Sequence, residues 1–312
     1  MSGSHSPPHS HAPSAHSDGR WLGLALGLLL AFCAVEVVVG LLANSVALLS
    51  DAAHMVTDAG ALALALAAAR IARRPPRGGY TFGFQRAEVL SAQVNGILLL
   101  VLAVVLGVEA IGRLAHPEAV RGGWVAAVGA AGLVVNLGAA WALARAQRQS
   151  LNVHGARAHV LSDLYASGAA VLAGLIVLAT GFERADPILA LVVVGLMLHS
   201  GVRLLAAAVR VLLEASPSGL HPGEIGTAMA AAPGVLEVHD LHVWELTTGF
   251  PALAAHVLVA PGDDCHASRR ALQAMLSERF GIEHTTLQVD HAPATGPLEI
   301  EAFAERGVRE PR

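Results

Sequence analysis

Polar and apolar positions divide the chain into long apolar runs, each about the length of a membrane span, followed by a stretch of short alternating segments. A spanning helix needs ~20 mostly apolar residues. Six runs meet that need: Trp21–Ala43, Ser45–Ala69, Ala87–Leu114, Trp124–Ala144, Ala156–Thr180 and Asp186–Leu213. Beyond Glu214 the pattern turns globular. "HPGEIGTAMAAAPG" suits a short helix that stops at Pro233-Gly234, and "VLEVHDLHVWELT" alternates as a strand does. "PALAAHVLVA" reads as a second strand, "CHASRRALQAMLSERFG" as a helix ending at Gly281, and "HTTLQVDH" as a third strand. The expected fold is an α-helical membrane domain of six transmembrane helices, residues 21–213, followed by an α-β-β-α-β domain, residues 214–292. A tail at 1–20 and another at 293–312 are expected to be loose.

Composition agrees with a bilayer protein. Of 312 residues, 54% are hydrophobic and only 14% charged, against roughly 25% charged in a soluble domain. The formal net charge of −4 advertises no nucleic-acid surface. Cys33 and Cys265, one in an apolar run and one in a polar run, do not suggest a disulfide framework. The opening "MSGSHSPPHSHAPSAHSDGR" carries His5, His9, His11 and His16. Such a tract reads as a metal collector or as a plain solvated tail.

All 20 basic residues are Arg, and their placement orients the spans. Arg70, Arg73, Arg74, Arg77 and Arg86 crowd the loop between runs two and three, and Arg145, Arg148 and Arg157 lie between runs four and five. Arg113, Arg121 and Arg184 fall on the opposite side beside Glu118, Glu183 and Asp186. The Arg-rich side is expected to be the cytoplasm. Both termini and the α/β domain then lie in the cytoplasm of a multi-pass inner-membrane protein.

Two apolar runs carry ionisable pairs at helical spacing. "AHMVTD" holds His54 and Asp58, and "AHVLSD" holds His159 and Asp163. Residues four apart lie on one face of a helix. If the two pairs face one another they offer two imidazoles and two carboxylates, a tetrahedral set suited to Zn²⁺ and other first-row divalent ions. A single pair reads as well as a polar cluster between helices. Repetition in two spans changes that balance. Each ionisable group in a bilayer costs ~2.5–3.5 kcal/mol on insertion scales, of order 10 kcal/mol for four. A bound cation, or protons exchanged for it, offsets that cost; packing alone does not. Asp51 reads as a helix-entry or supporting group, and Glu36, Asn44, Asn95 and Asn136 as lining of a hydrated path or as interhelical glue. His116, His154 and His199 lie near span ends and call for no special role.

"SVALLSDAAHMVTDAGALALAL", "YTFGFQRAEVLSAQVNGILLL", "HVLSDLYASGAAVLAGL" and "VHDLHVWELTTG" resemble the cation diffusion facilitator family, in its bacterial zinc-type branch, over roughly residues 20–292. The resemblance implies a homodimer with a metallochaperone-like cytoplasmic domain, exporting Zn²⁺ or a related divalent ion in exchange for protons. It implies that His54, Asp58, His159 and Asp163 form the transport site. It further implies ligands at His239, His256, His266 and Asp290 in the cytoplasmic domain, with zinc acting there as a regulator. A family ligand two residues before Asp290 is here Gln288, a poor zinc ligand, and His284 or the N-terminal histidines are the candidate substitutes. The family's basic residue at the start of span three and its acidic partner after span six match Arg86 and Glu214. The loop site that some relatives carry is expected to be absent, because "RIARRPPRGGYTFGF" holds neither His nor Asp. By spacing, His239 and His242 are three apart on a strand and are expected on opposite faces.

The chain is expected not to be an enzyme. A membrane zinc hydrolase needs an open metal position and a general base, and no HExxH occurs. A membrane-anchored metal sensor would not need ionisable groups in two spans. A broader exporter of Cd²⁺, Co²⁺, Fe²⁺ or Mn²⁺ is the nearer alternative.

Overall fold

A computed structural model describes residues 15–42, 46–116, 122–145 and 151–292. Within its helices, the side chains of residues 15–19, 36, 39–42, 46–54, 57 and 124 lie outside the description.

The apolar runs form helices α1 (Ala15–Leu42), α2 (Val46–Ala72), α3 (Ala87–Ala115), α4 (Gly122–Ala144), α5 (Leu151–Thr180) and α6 (Ala185–Leu212). Among the described residues, four stretches are long and apolar enough to cross a membrane: Ala87–Ala115, Val125–Ala144, Leu151–Thr180 and Ala185–Leu212. This is a multi-pass membrane protein. Two helices start more than a turn earlier than their apolar runs. α1 begins at Ala15, inside the segment expected to be loose, because extending a formed helix by a turn costs little. α5 begins at Leu151, where Leu151, Asn152 and Val153 are all buried.

Two kinds of contact hold the bundle. Leu22, Ala25 and Leu29 of α1, Leu62 and Ala65 of α2, Leu143 of α4 and Val160 of α5 share one apolar core. Glycines set the closest approaches. A Cβ added to Gly174 of α5 would lie 2.6 Å from both the Ala126 nitrogen and the Gly122 oxygen of α4. Backbones meet there with no room for a side chain, the small-residue packing used between helices in lipid. Gly96 of α3 and Gly201 of α6 make a similar approach, a Cβ on Gly96 lying 3.3 Å from the Leu205 nitrogen.

Two compact units divide the chain, the second comprising residues 216–245 and 250–312. Its described elements run α7 (Pro222–Ala230), β1 (Val235–Glu245), β2 (Pro251–Val259), α8 (Cys265–Phe280) and β3 (His284–His291). This is the expected helix, strand, strand, helix, strand order. The sheet order is β1-β2-β3, antiparallel between β1 and β2 and parallel between β2 and β3. Ile225 and Met229 of α7 and Leu272 and Leu276 of α8 pack on Val243, Leu253, Ala255, Val257 and Leu287 of the sheet. Both helices cover one sheet face and the other stays open. Asp264 caps α8 by accepting from the His266 and Ala267 amides, and Gly281 ends it at φ 66°, a left-handed position that glycine holds without strain.

One expectation is overturned. His239 pairs with His256, whereas His242 pairs with Ala254, so Asp240 and Leu241 together face the single residue between them. This is a bulge, with Asp240 at φ 52°. The extra residue restores the alternation. His239 and His242 therefore share the open face, because their partners His256 and Ala254 are two apart.

Candidate metal centre

α2 and α5 bring their ionisable groups together inside the first unit. Asp58 and His159 are buried, at 5% and 2% exposure. His159 Nε2 lies 2.9 Å from Asp58 Oδ1. A single proton therefore lies between the two atoms, on the imidazole or on the carboxyl. Asp163, one turn beyond His159, completes a group. Ligand atoms of Asp58, His159 and Asp163 all lie within 4.8 Å of one another, the one such group found among the described residues. His159 Nδ1 and Asp163 Oδ2 are buried with no hydrogen-bond partner among the described residues. Buried polar atoms are rarely left so, and an unmet carboxylate oxygen in a pocket of ligands suits a divalent cation. His54 lies one turn before Asp58 on α2; its side chain, like that of Asp51, is outside the described residues.

One of the neighbouring polar residues ties helices together, and another is buried with its amide unmet. Asn136 of α4 donates to Ser167 Oγ of α5 at 3.2 Å, an interhelical tie. Asn95 of α3 is fully buried, and neither amide atom has a partner among the described residues. The Glu36 side chain and Asn44 lie outside the described residues. Spacing on α5 also pointed to Asn152, seven residues before His159, although the sequence reading did not single it out. Its Nδ2 donates to the Ala65 oxygen of α2 at 2.7 Å.

Past Asp163 on the same face of α5, Ala166 and Ala170 line a cavity of about 210 Å³ between α3, α5 and α6. Glu109, Arg113 and Asp186 stand in its wall, at the Arg-poor end. Arg113 pairs with Glu109 and approaches Asp186 at 3.8 Å.

In the second unit the candidates are spread. His239 and His256 face each other with ring centroids 5.4 Å apart, and His256 pairs with Gln288 on β3. The Gln288 amide is turned to Asp290 Oδ2 at 2.8 Å. His266 sits in the first turn of α8. His284 pairs with Ala252 whereas Asp290 pairs with Leu258. At roughly 3.3 Å per residue this sets His284 most of a strand length away, so it does not stand in for Gln288. No three of these candidates come within 4.8 Å of one another among the described residues.

The model of the cation efflux transmembrane domain matches residues 22–213, more than half the chain, and the model of the cation efflux protein cytoplasmic domain matches residues 217–292. The chain belongs to the cation efflux (cation diffusion facilitator) family. It is a transporter of metal cations rather than an enzyme. The Escherichia coli K12 zinc transporter ZitB is 41% identical over 299 residues, covering 95% of each chain. The Cupriavidus metallidurans metal cation efflux system protein CzcD is 38% identical over 287 residues, 91% of this chain and 90% of its own. The Bacillus subtilis cadmium, cobalt and zinc/H⁺–K⁺ antiporter is 32% identical over 286 residues, 90% of this chain and 91% of its own. A solved metal-bound C-terminal domain of the CzcD transporter is 34% identical, covering 22% of this chain and 97% of its own, with a TM-score of 0.22.

Proposed function

We propose that this cation efflux protein exports Zn²⁺ from the cytoplasm in exchange for protons, by alternating access, through a site made by Asp58, His159 and Asp163 with His54 as the fourth ligand. One observation carries the reading: three buried ligand groups from two helices converge within 4.8 Å. Two imidazoles and two carboxylates make a four-coordinate site for zinc. The same atoms bind protons when the metal leaves, so loading and proton release are two sides of one exchange. The names of the ZitB and Bacillus relatives, a zinc transporter and a proton-coupled antiporter, support this cargo and this counter-ion. The cadmium and cobalt in the second name favour a broader divalent exporter as the alternative.

In this reading six spans cross the inner membrane with the Arg-rich loops, both termini and the α/β domain in the cytoplasm. The chain works as a homodimer. His239, His256 and Asp290, all on the open sheet face, take a regulatory zinc, with further ligands drawn from a second copy or from His266. His5, His9 and His11, and the side chain of His16 at the start of α1, lie outside the described residues.

Flux into proteoliposomes tests the reading. Zn²⁺, Cd²⁺, Co²⁺ and Mn²⁺ are each presented with and without an imposed pH gradient. Gradient-dependent zinc uptake, lost in Asp163→Ala with the purified dimer intact, is the expected result. Normal uptake by Asp163→Ala refutes the site.

A further inference from the structure

The metal centre is enclosed in this structure, and the chain provides a specific place where it can open. On α3, Glu88, Ser91 and Asn95 are spaced three and four residues apart and so share a face. All three are buried, at 5%, 3% and 0% exposure. Across from them, α5 presents Asn152 and Gly155, seven and four residues before His159. A Cβ on Gly155 would lie 3.5 Å from both Asn95 Cβ and Asn95 Nδ2, so the missing side chain lets the Asn95 amide lie against α5. Asn152 reaches on to Ala65 of α2, seven residues past Asp58. α2 runs toward Arg70, and α3 and α5 begin at the Arg-rich end. All of these polar groups therefore lie one to two turns inward of the metal centre.

Their hydrogen bonding is incomplete. Ser91 Oγ, Asn95 Nδ2, Asn95 Oδ1 and Asn152 Oδ1 are buried with no partner among the described residues. One such atom is unusual in a folded protein; four at one helix junction mark a contact that water would improve. The outward part of α3 differs. There Leu99 and Ala103 of α3 meet Val193, Val194 and Met197 of α6, with Ala158 and Ala169 of α5 packed against them. Among the described residues, none of these side chains carries an unmet buried polar atom.

We propose that the junction of α2, α3 and α5 at Ser91, Asn95 and Asn152 is the inner gate of the metal centre, parting to a water-lined path along which a hydrated divalent cation reaches Asp58, His159 and Asp163. The proposal rests on the transport reading above. Closed, the junction leaves polar atoms unmet; open, water meets them, which balances the loss of helix contact. Carboxamides and a hydroxyl suit this task because they replace part of a cation's water without holding it as a carboxylate would.

Thiol accessibility tests the gate without relying on transport. In the full-length protein carrying Cys33→Ala and Cys265→Ala, a single cysteine is placed at Asn95→Cys or at Leu99→Cys, one turn outward. Reconstituted protein is treated with the charged reagent methanethiosulfonate ethyltrimethylammonium. Asn95→Cys is expected to react at least ten times faster than Leu99→Cys. Equal rates overturn the gate, even if zinc flux is normal. In parallel, Asn95→Leu is expected to slow zinc flux at least tenfold while the zinc bound per protomer at equilibrium is unchanged, and Asn95→Ser to restore most of the flux. Unimpaired flux in Asn95→Leu also overturns it. Absence of zinc flux in the parent protein would instead refute the transport reading and leave the labelling contrast as the measure of the junction.

Discussion

Arg86 Nη2 lies 3.0 Å from Glu214 Oε1, tying the residue before α3 to the chain just beyond α6. The pair joins the Arg-rich ends of α3 and α6, yet its side chains are 40% and 61% exposed. Exposed pairs contribute ~0–1 kcal/mol, less in salt. Glu214 also stands at φ 57°, a backbone position that costs a non-glycine residue roughly 1–2 kcal/mol. Glu214→Gly is therefore expected to melt above Glu214→Ala, although both lose the ion pair. Thermal unfolding in detergent at low and high salt checks the order.

The proton between His159 and Asp58 makes a second prediction. Both atoms cannot ligate one cation until that proton leaves. Zinc binding should release at least one proton per ion, and affinity should fall about tenfold per pH unit for each proton displaced. Titration calorimetry in two buffers of different ionisation enthalpy measures the number. Identical heats in both would remove the coupling.

Close packing at Gly174 gives a third. An added methyl would lie 2.6 Å from backbone atoms of α4, so Gly174→Ala must push α4 and α5 apart. Overpacking of this kind costs typically 1–3 kcal/mol. Gly60→Ala, with nothing within 4 Å of the new methyl, should be neutral or slightly stabilising. Unfolding midpoints of the two variants make the comparison.

A fourth concerns the cap of α8. The Ala267 amide, then that of His266, holds the Asp264 carboxyl below the usual carboxylate range. A depressed folded value means stability that is present above the unfolded value and lost as pH falls through the folded one. Asp264→Ala should expose the first turn of α8 to faster hydrogen exchange at neutral pH. The difference from the parent should vanish in acid, where the parent's carboxyl is protonated too.

Much of the architecture was legible because lipid imposes simple rules. Long apolar runs between Arg-rich loops marked the helices, and alternating segments punctuated by Pro233-Gly234 and Gly281 marked the α/β order. Recurrence of an imidazole and a carboxyl at helical spacing drew attention to His159 and Asp163. The pairing of His159 with Asp58 across two helices was not legible, because spacing within one helix says nothing of how another crosses it. Nor were the unmet atoms of Asn95 and Asn152, which exist only once three helices converge. The facing of His239 and His242 was misjudged for a local reason: one extra residue at Asp240 resets a period-two pattern, and nothing in "HDLH" announces it.

The contact without side chains between Gly122 and Gly174 bears on how such a molecule can move. Two rods touching backbone to backbone do not slide, because any slip drives carbonyls and methyls into each other. A shift of α4 at Gly122 is therefore expected to carry α5 with it, and with α5 the side chains of His159 and Asp163.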